Sequence, residues 1–247
     1  MNLKCFLITL LLPLATIAQQ KDSKIYELRV YYSPQGKLDA LVKRFTDHTT
    51  KLFEKHGMTN VGYWIPVDNK DNALYYVLSY PDKESRDKSW KAFMSDPVWQ
   101  EVSKKSEEGG KIVQRVTSTF MTATDFSPAI TNSGGSNDRT FELRTYYIHP
   151  KRYPEILTRF RNHTVGLLEK HGATNIAYWT TVETGDKEPT LIYILAYPNE
   201  EAGKKTWTTF RADPDWIKVK SESEKDHPIV EKVESVIMKP MKVSGIR

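Results

Sequence analysis

Glu27, Arg29 and Tyr31 alternate within the segment Tyr26-Glu-Leu-Arg-Val-Tyr-Tyr32, and Glu142, Arg144 and Tyr146 alternate in the same way within Phe141-Glu-Leu-Arg-Thr-Tyr-Tyr147. Alternation places each trio on one face of a strand, with Leu28 and Val30 on the other. A carboxylate and a guanidinium on a half-buried strand are costly unless they pair with each other or meet a ligand. Two chemistries follow. One is an internal ion pair that fixes the geometry of the sheet, and the other is a guanidinium-and-phenol lining for an anionic small molecule. His48 and His163 are the second matched feature. Leu38, Leu41, Phe45, His48 and Leu52 recur at spacings of 3, 4, 3 and 4. That spacing puts His48 within the apolar stripe of a helix, as a hydrogen-bonded core residue or as a ligand-facing acid, base or haem contact. His56 and His171 each precede a glycine and read as helix-terminal residues that favour the carbonyl end of the helix. Tyr63-Trp64 and Tyr178-Trp179 suit either a core or a stacking wall for a planar ligand.

Other chemistry is excluded by pattern. The sequence has no glycine-rich phosphate loop, no His-Glu-x-x-His and no nucleophile elbow. The spacing of its histidines and carboxylates shows no metal set. Cys5 is the only cysteine, so neither a disulfide framework nor a thiolate metal site is available. The formal charge of +5 is spread thinly, without a run of five or six Lys or Arg, which argues against nucleic acid as a partner.

The elements that must position these residues come as an internal repeat. Between 26–64 and 141–179, at an offset of 115, 18 of 39 positions are identical, far above chance. Beyond an insertion near Gly185 the offset becomes 117, carrying Tyr80-Pro81 onto Tyr197-Pro198, Trp90 onto Trp207, and Asp96-Pro-Val-Trp99 onto Asp213-Pro-Asp-Trp216. The chain is read as two domains, 21–122 and 139–242, joined by a Ser/Thr/Asn/Gly-rich flexible linker over 123–138. Within the first copy the patterns predict a strand over 25–32, a helix ending at Gly57, strands over 59–67 and 73–80, and a helix from Asp82. A short helix capped by Asp96-Pro97 and a last strand over 111–121 complete it. The order βαββαβ is the ferredoxin-like unit, α+β in class, whose sheet carries helices on one face only. Pairing of two such sheets on one chain predicts an intramolecular pseudo-dimeric α/β barrel, with higher oligomers left open. Residues 1–18 carry Lys4, an apolar run over 5–14 and small residues at Thr16 and Ala18. They read as a secretory signal peptide, which predicts an exported protein, periplasmic or secreted, and no other stretch is apolar enough to span a membrane.

The combination Tyr-Glu-Leu-Arg-x-Tyr-Tyr, His-x7-His-Gly, Asn-x-Gly-Tyr-Trp and Asp-Pro-x-Trp resembles the NIPSNAP family, within the dimeric α/β-barrel superfamily. Both copies carry it. The resemblance implies the fold, and the superfamily adds two kinds of activity to weigh, cofactor-independent monooxygenation and haem processing. Three functions are therefore expected in order: binding of a small aromatic or anionic ligand in a barrel pocket, an enzyme of either superfamily type, and a filled barrel that binds a protein partner. The candidate ligand-binding residues are Glu27, Arg29, Tyr31, His48 and Trp64, with Glu142, Arg144, Tyr146, His163 and Trp179. No motif calls for a cofactor, and haem enters only as a ligand that His48 would contact.

Overall fold

A computed structural model describes residues 22–130, 139–182 and 187–247. The segment read as a signal peptide lies outside the described residues, as do 131–138 of the linker. The first repeat runs β1 (Ile25–Tyr32), α1 (Leu38–Arg44), a π-helical turn (Phe45–Thr49), α2 (Thr50–Lys55), β2 (Thr59–Pro66), β3 (Ala73–Tyr80), α3 (Lys83–Met94), α4 (Pro97–Ser106) and β4 (Arg115–Ala123). The second repeats it as β5 (Thr140–Ile148), α5 (Tyr153–Arg159), a π-helical turn (Phe160–Thr164), α6 (Val165–Lys170), β6 (Thr174–Thr181), β7 (Leu191–Tyr197), α7 (Glu200–Ala212), α8 (Pro214–Ser223) and β8 (Val230–Pro240). Local chemistry sets the boundaries. The Asp96 and Asp213 side chains accept from Val98 N–H and Asp215 N–H, with proline opening α4 and α8. Gly57 and Gly172, at φ +79° and +95°, follow α2 and α6 and supply the left-handed turn that ends each.

The eight strands close into one antiparallel barrel in the order β1-β3-β2-β8-β5-β7-β6-β4. Each repeat contributes four adjacent strands, and closure rests on two short junctions. Trp64 to Pro66 pairs with Pro240 to Met238, and Met121 to Ala123 pairs with Thr181 to Trp179. The chain continues past each junction onto the opposite repeat. Thr124 N–H donates to Tyr178 O (2.9 Å) and Tyr178 N–H to Ser127 Oγ (3.0 Å). In the same way Met241 N–H donates to Tyr63 O (2.9 Å) and Tyr63 N–H to Ser244 Oγ (3.0 Å). Phe126 packs on Tyr178 at 5.6 Å between ring centres. The first residues of the expected flexible linker are therefore docked structure.

Tyr26, Leu28, Trp64 and Val77 fill the barrel interior together with Leu143, Trp179, Ile192 and Met238. Strand alternation then turns Glu27, Arg29 and Tyr31 outward, into the layer between sheet and helices. Among the described residues no helix is long and apolar enough to cross a membrane.

Candidate ligand cleft in the helix layer

Under the helices, the Glu-Arg-Tyr trios form two closed polar clusters. Glu27 is fully buried and accepts from Arg86 Nε (3.0 Å) and Nη2 (2.8 Å), Ser118 Oγ (2.6 Å), Tyr80 OH (3.2 Å) and Arg29 Nη1. Arg29 Nε donates to Tyr76 OH at 2.9 Å, and its guanidinium stacks 4.3 Å from the Trp90 ring. Burial pushes the Glu27 carboxyl up, but the Arg86 hydrogen bonds and the Arg29 charge outweigh it and hold the group at about 2. In the second repeat Glu142 accepts from Arg144 Nη1 (2.6 Å), Ser235 Oγ (2.6 Å), Tyr197 OH (2.7 Å) and Trp207 Nε1 (2.6 Å). Gly203 stands where Arg86 stands in the first repeat, and the Trp207 indole takes over part of that arginine's role. Tyr146 lies at the edge of this cluster, 3.5 Å from Arg144 Nη2. With four or more bonds on each carboxylate, these residues act on one another. The internal ion pair is the arrangement the geometry gives.

His48 and His163 are not where the 3.6-residue period puts them. At about 100° per residue His48 falls roughly 20° from Leu41, facing the sheet. The π-helical turn Phe45–Thr49 is wider and rotates that position outward, so both histidines are exposed. The threonine after each histidine takes the buried place, and Thr49 and Thr164 each donate from Oγ1 to the carbonyl five residues earlier, on Arg44 and Arg159, at 3.2 Å. Imidazole, guanidinium and phenol therefore do not converge on the sheet. Trp64 and Trp179 are also elsewhere, inside the barrel at 0% exposure, with indole N–H groups that have no partner among the described residues. His56 and His171 end their helices as expected and also reach forward, each 2.7 Å from the capping carboxylate of the next helix pair, Asp96 or Asp213.

What the π turn does expose His48 to is a cleft of about 690 Å³ between α1, the turn itself and α4. Its apolar wall is Ala40, Pro97, Val98 and Val102, and its polar rim is Lys43, Arg44, Asp47, Glu101 and Lys105. The second repeat has the same feature at about 490 Å³, with Arg159, His163 and Val219 in equivalent places. Arg44 is the residue that sequence reasoning missed. It is 5% exposed, its guanidinium lies 5.1 Å from the Trp99 ring, and its Nη1 donates to Ser106 Oγ at 3.2 Å. Its Nε has no partner among the described residues, and the same holds for Arg159 Nε. Burial holds the Arg44 guanidinium below its ordinary value, against the pull of Tyr31 and Glu107. The signal was present in the sequence: Arg44-Phe45 recurs as Arg159-Phe160, a charge inside an apolar stripe in both copies. A haem fits this cleft poorly, since His48 offers a donor but the apolar residues form one wall rather than a slot for a macrocycle. No group of three or more His, Cys, Asp or Glu gathers as a metal site among the described residues.

The barrel is similar to solved structures of two-repeat length. An anthrone oxidase-like protein matches at 13% identity over 91% of this chain and 94% of its own, with a TM-score of 0.57. A protein from Fusobacterium nucleatum, provisionally named a monooxygenase, matches at 12% identity over 90% and 94%, with a TM-score of 0.57. A NIPSNAP family protein of unknown function from Agrobacterium tumefaciens covers 43% of this chain and 94% of its own at 21% identity, with a TM-score of 0.39. No curated protein matches the chain. The NIPSNAP family model matches twice, over residues 26–128 and 141–245, one match for each βαββαβ half of the barrel. The chain therefore belongs to the NIPSNAP family, as a tandem of two domains closed into one barrel.

Proposed function

We propose that the protein binds a small aromatic or anionic molecule in the helix-layer cleft. One observation carries this reading. In both repeats a π-helical turn places an exposed histidine beside a buried arginine at the mouth of a partly apolar cleft. π turns interrupt α-helices at a cost and concentrate at functional positions. A buried guanidinium with an unmet N–H seeks an acceptor. The cleft lies between helices rather than in the barrel interior, which is filled by side chains. The binding site we propose is therefore Arg44 and His48, with Arg159 and His163 as its counterpart, and the Glu27-Arg29 and Glu142-Arg144 clusters brace the sheet beneath. We also propose that the mature protein is exported, on the strength of the leader-like residues 1–18.

Thermal unfolding with millimolar 1-naphthoate or 1-naphthol tests the binding reading. A rise in midpoint with either of them, lost on filling the cleft with Val102→Trp, is the expected result. No rise with either would sink it. The oxygenase reading has the fold of the provisionally named monooxygenase and the anthrone oxidase-like protein behind it. Oxygen uptake with an anthrone as substrate is its direct test.

A further inference from the structure

We infer that the two clefts have diverged, so that the first takes an organic monocarboxylate carried on an apolar body while the second has supplied its own carboxylate in place of that ligand. The inference rests on the cleft being a binding site. At three matched positions the second repeat carries an acid where the first does not: Glu155 for Ala40, Glu222 for Lys105 and Asp226 for Gly109. All three acids line the second cleft. The arginines differ accordingly. Arg159 Nη1 donates to Glu224 Oε1 at 2.7 Å, a charge-assisted bond made by a carboxylate that is itself mostly buried. The matching Glu107 is more exposed and stands 3.7 Å from Arg44 Nη1. Arg44 thus keeps donor capacity that Arg159 has spent, while the rim lysines Lys43 and Lys105 are paired with Asp47 (2.6 Å) and Glu101 (3.3 Å) and leave Arg44 as the cation facing the cleft. Opposite the guanidinium, Val98 and Val102 face the cleft, with Val98 53% exposed. Asp215 stands in place of Val98 in the second repeat. A carboxylate on Arg44 with its hydrocarbon portion against these valines satisfies both halves of the site.

Isothermal titration of the full mature chain with 1-naphthoate, and separately with neutral 2-naphthalenemethanol, tests this. One naphthoate per chain is expected, with at least tenfold weaker binding of the alcohol. Arg44→Met should weaken naphthoate at least tenfold. Because Arg44 is buried, Lys105→Glu, a solvent-exposed change that copies the second cleft, provides the independent loss. Glu224→Gln combined with Glu222→Lys and Asp215→Val, which releases Arg159 and restores the first cleft's lysine and valine, should raise the stoichiometry towards two. Two equal sites in the unmodified protein would overturn the inference, as would a stoichiometry that stays at one in that triple variant or equal binding of acid and alcohol. In each of those cases the cleft still binds and the proposed function stands. Absence of binding by either compound removes both.

Discussion

Glu27 shows how burial and charge divide the work at a single residue. Its carboxylate is held at about 2 against an ordinary 4.5, so it binds its proton more weakly in the folded chain than in the unfolded one. Stability from this group is therefore complete above about pH 4.5 and is lost as the pH falls towards 2, by roughly 3 kcal/mol on the linkage relation. Glu142 is displaced in the same direction, by Arg144 and its three neutral donors acting against burial. Urea midpoints measured from pH 7 down to 2.5 should fall through that window, and a flat profile would show that the clusters do not stabilise the fold. Glu27→Gln at pH 7 should cost about 3–5 kcal/mol, because it strands Arg29 without a counter-charge and leaves Arg86 only the more exposed Asp87. His48→Ala is the contrasting case. Being exposed at the cleft, it should move the midpoint by no more than about 0.5 kcal/mol while weakening naphthoate binding.

At the level of elements, the π-helical turn is the device that separates the cleft from the core. Thr49 and Thr164 close it with equivalent hydroxyl bonds, whereas Thr50, which also bonds back to a carbonyl five residues away, is matched by Val165. The second repeat keeps its π turn without that second hydroxyl. Thr49→Val should thus cost about 1 kcal/mol and disturb the cleft, and Thr50→Val should be nearly neutral. Equal costs in urea would refute this division. The same turn explains what the sequence could and could not reveal. Strand alternation, the Asp96-Pro97 cap and the repeat offsets are local signals, and each element they predict is found, β4 alone starting later, at Arg115 rather than near 111. Hydrophobic periodicity assumes 3.6 residues per turn, so a single wider turn misplaces the residue within it, although Leu52 beyond the turn is buried as the spacing predicts. The spacing turns His48 toward the sheet on that account, and it gives no separate sign of Arg44 beside it. The parity of β1 needed the partner sheet, because Leu28 and Glu27 are both buried and only the barrel decides which face is interior.

The whole molecule behaves as two half-barrels that exchange their ends. Each repeat's last strand and the residues after it complete the other repeat: Ser127 and Ser244 occupy matched positions and accept the same backbone N–H, from Tyr178 and Tyr63. Neither half is finished alone. An isolated first repeat, residues 22–127, keeps its helix layer but leaves Tyr26, Leu28, Trp64, Val77 and Met121 without the second sheet that covers them. It also loses Met241, which packs into its own helix-side core from the far end of the chain. Its β2 and β4 edges, now unpaired, carry the groups that formed the two junctions. The fragment does, however, retain Thr124 to Ser127, the counterpart of Met241 to Ser244. Two copies can therefore close an eight-stranded barrel with a true twofold axis, each donating β4 and its following residues to the other. Sedimentation should find this fragment as a dimer or an aggregate, while the chain that carries both repeats has no such need. Met121→Asp, which places a charge in the interior beside the junction, should prevent closure of the dimer and increase binding of a hydrophobic dye. A monodisperse monomer of the unmodified fragment that binds no dye would mean that each sheet is covered within its own repeat, and the exchange of ends would then be a consequence of tethering rather than a requirement of the fold.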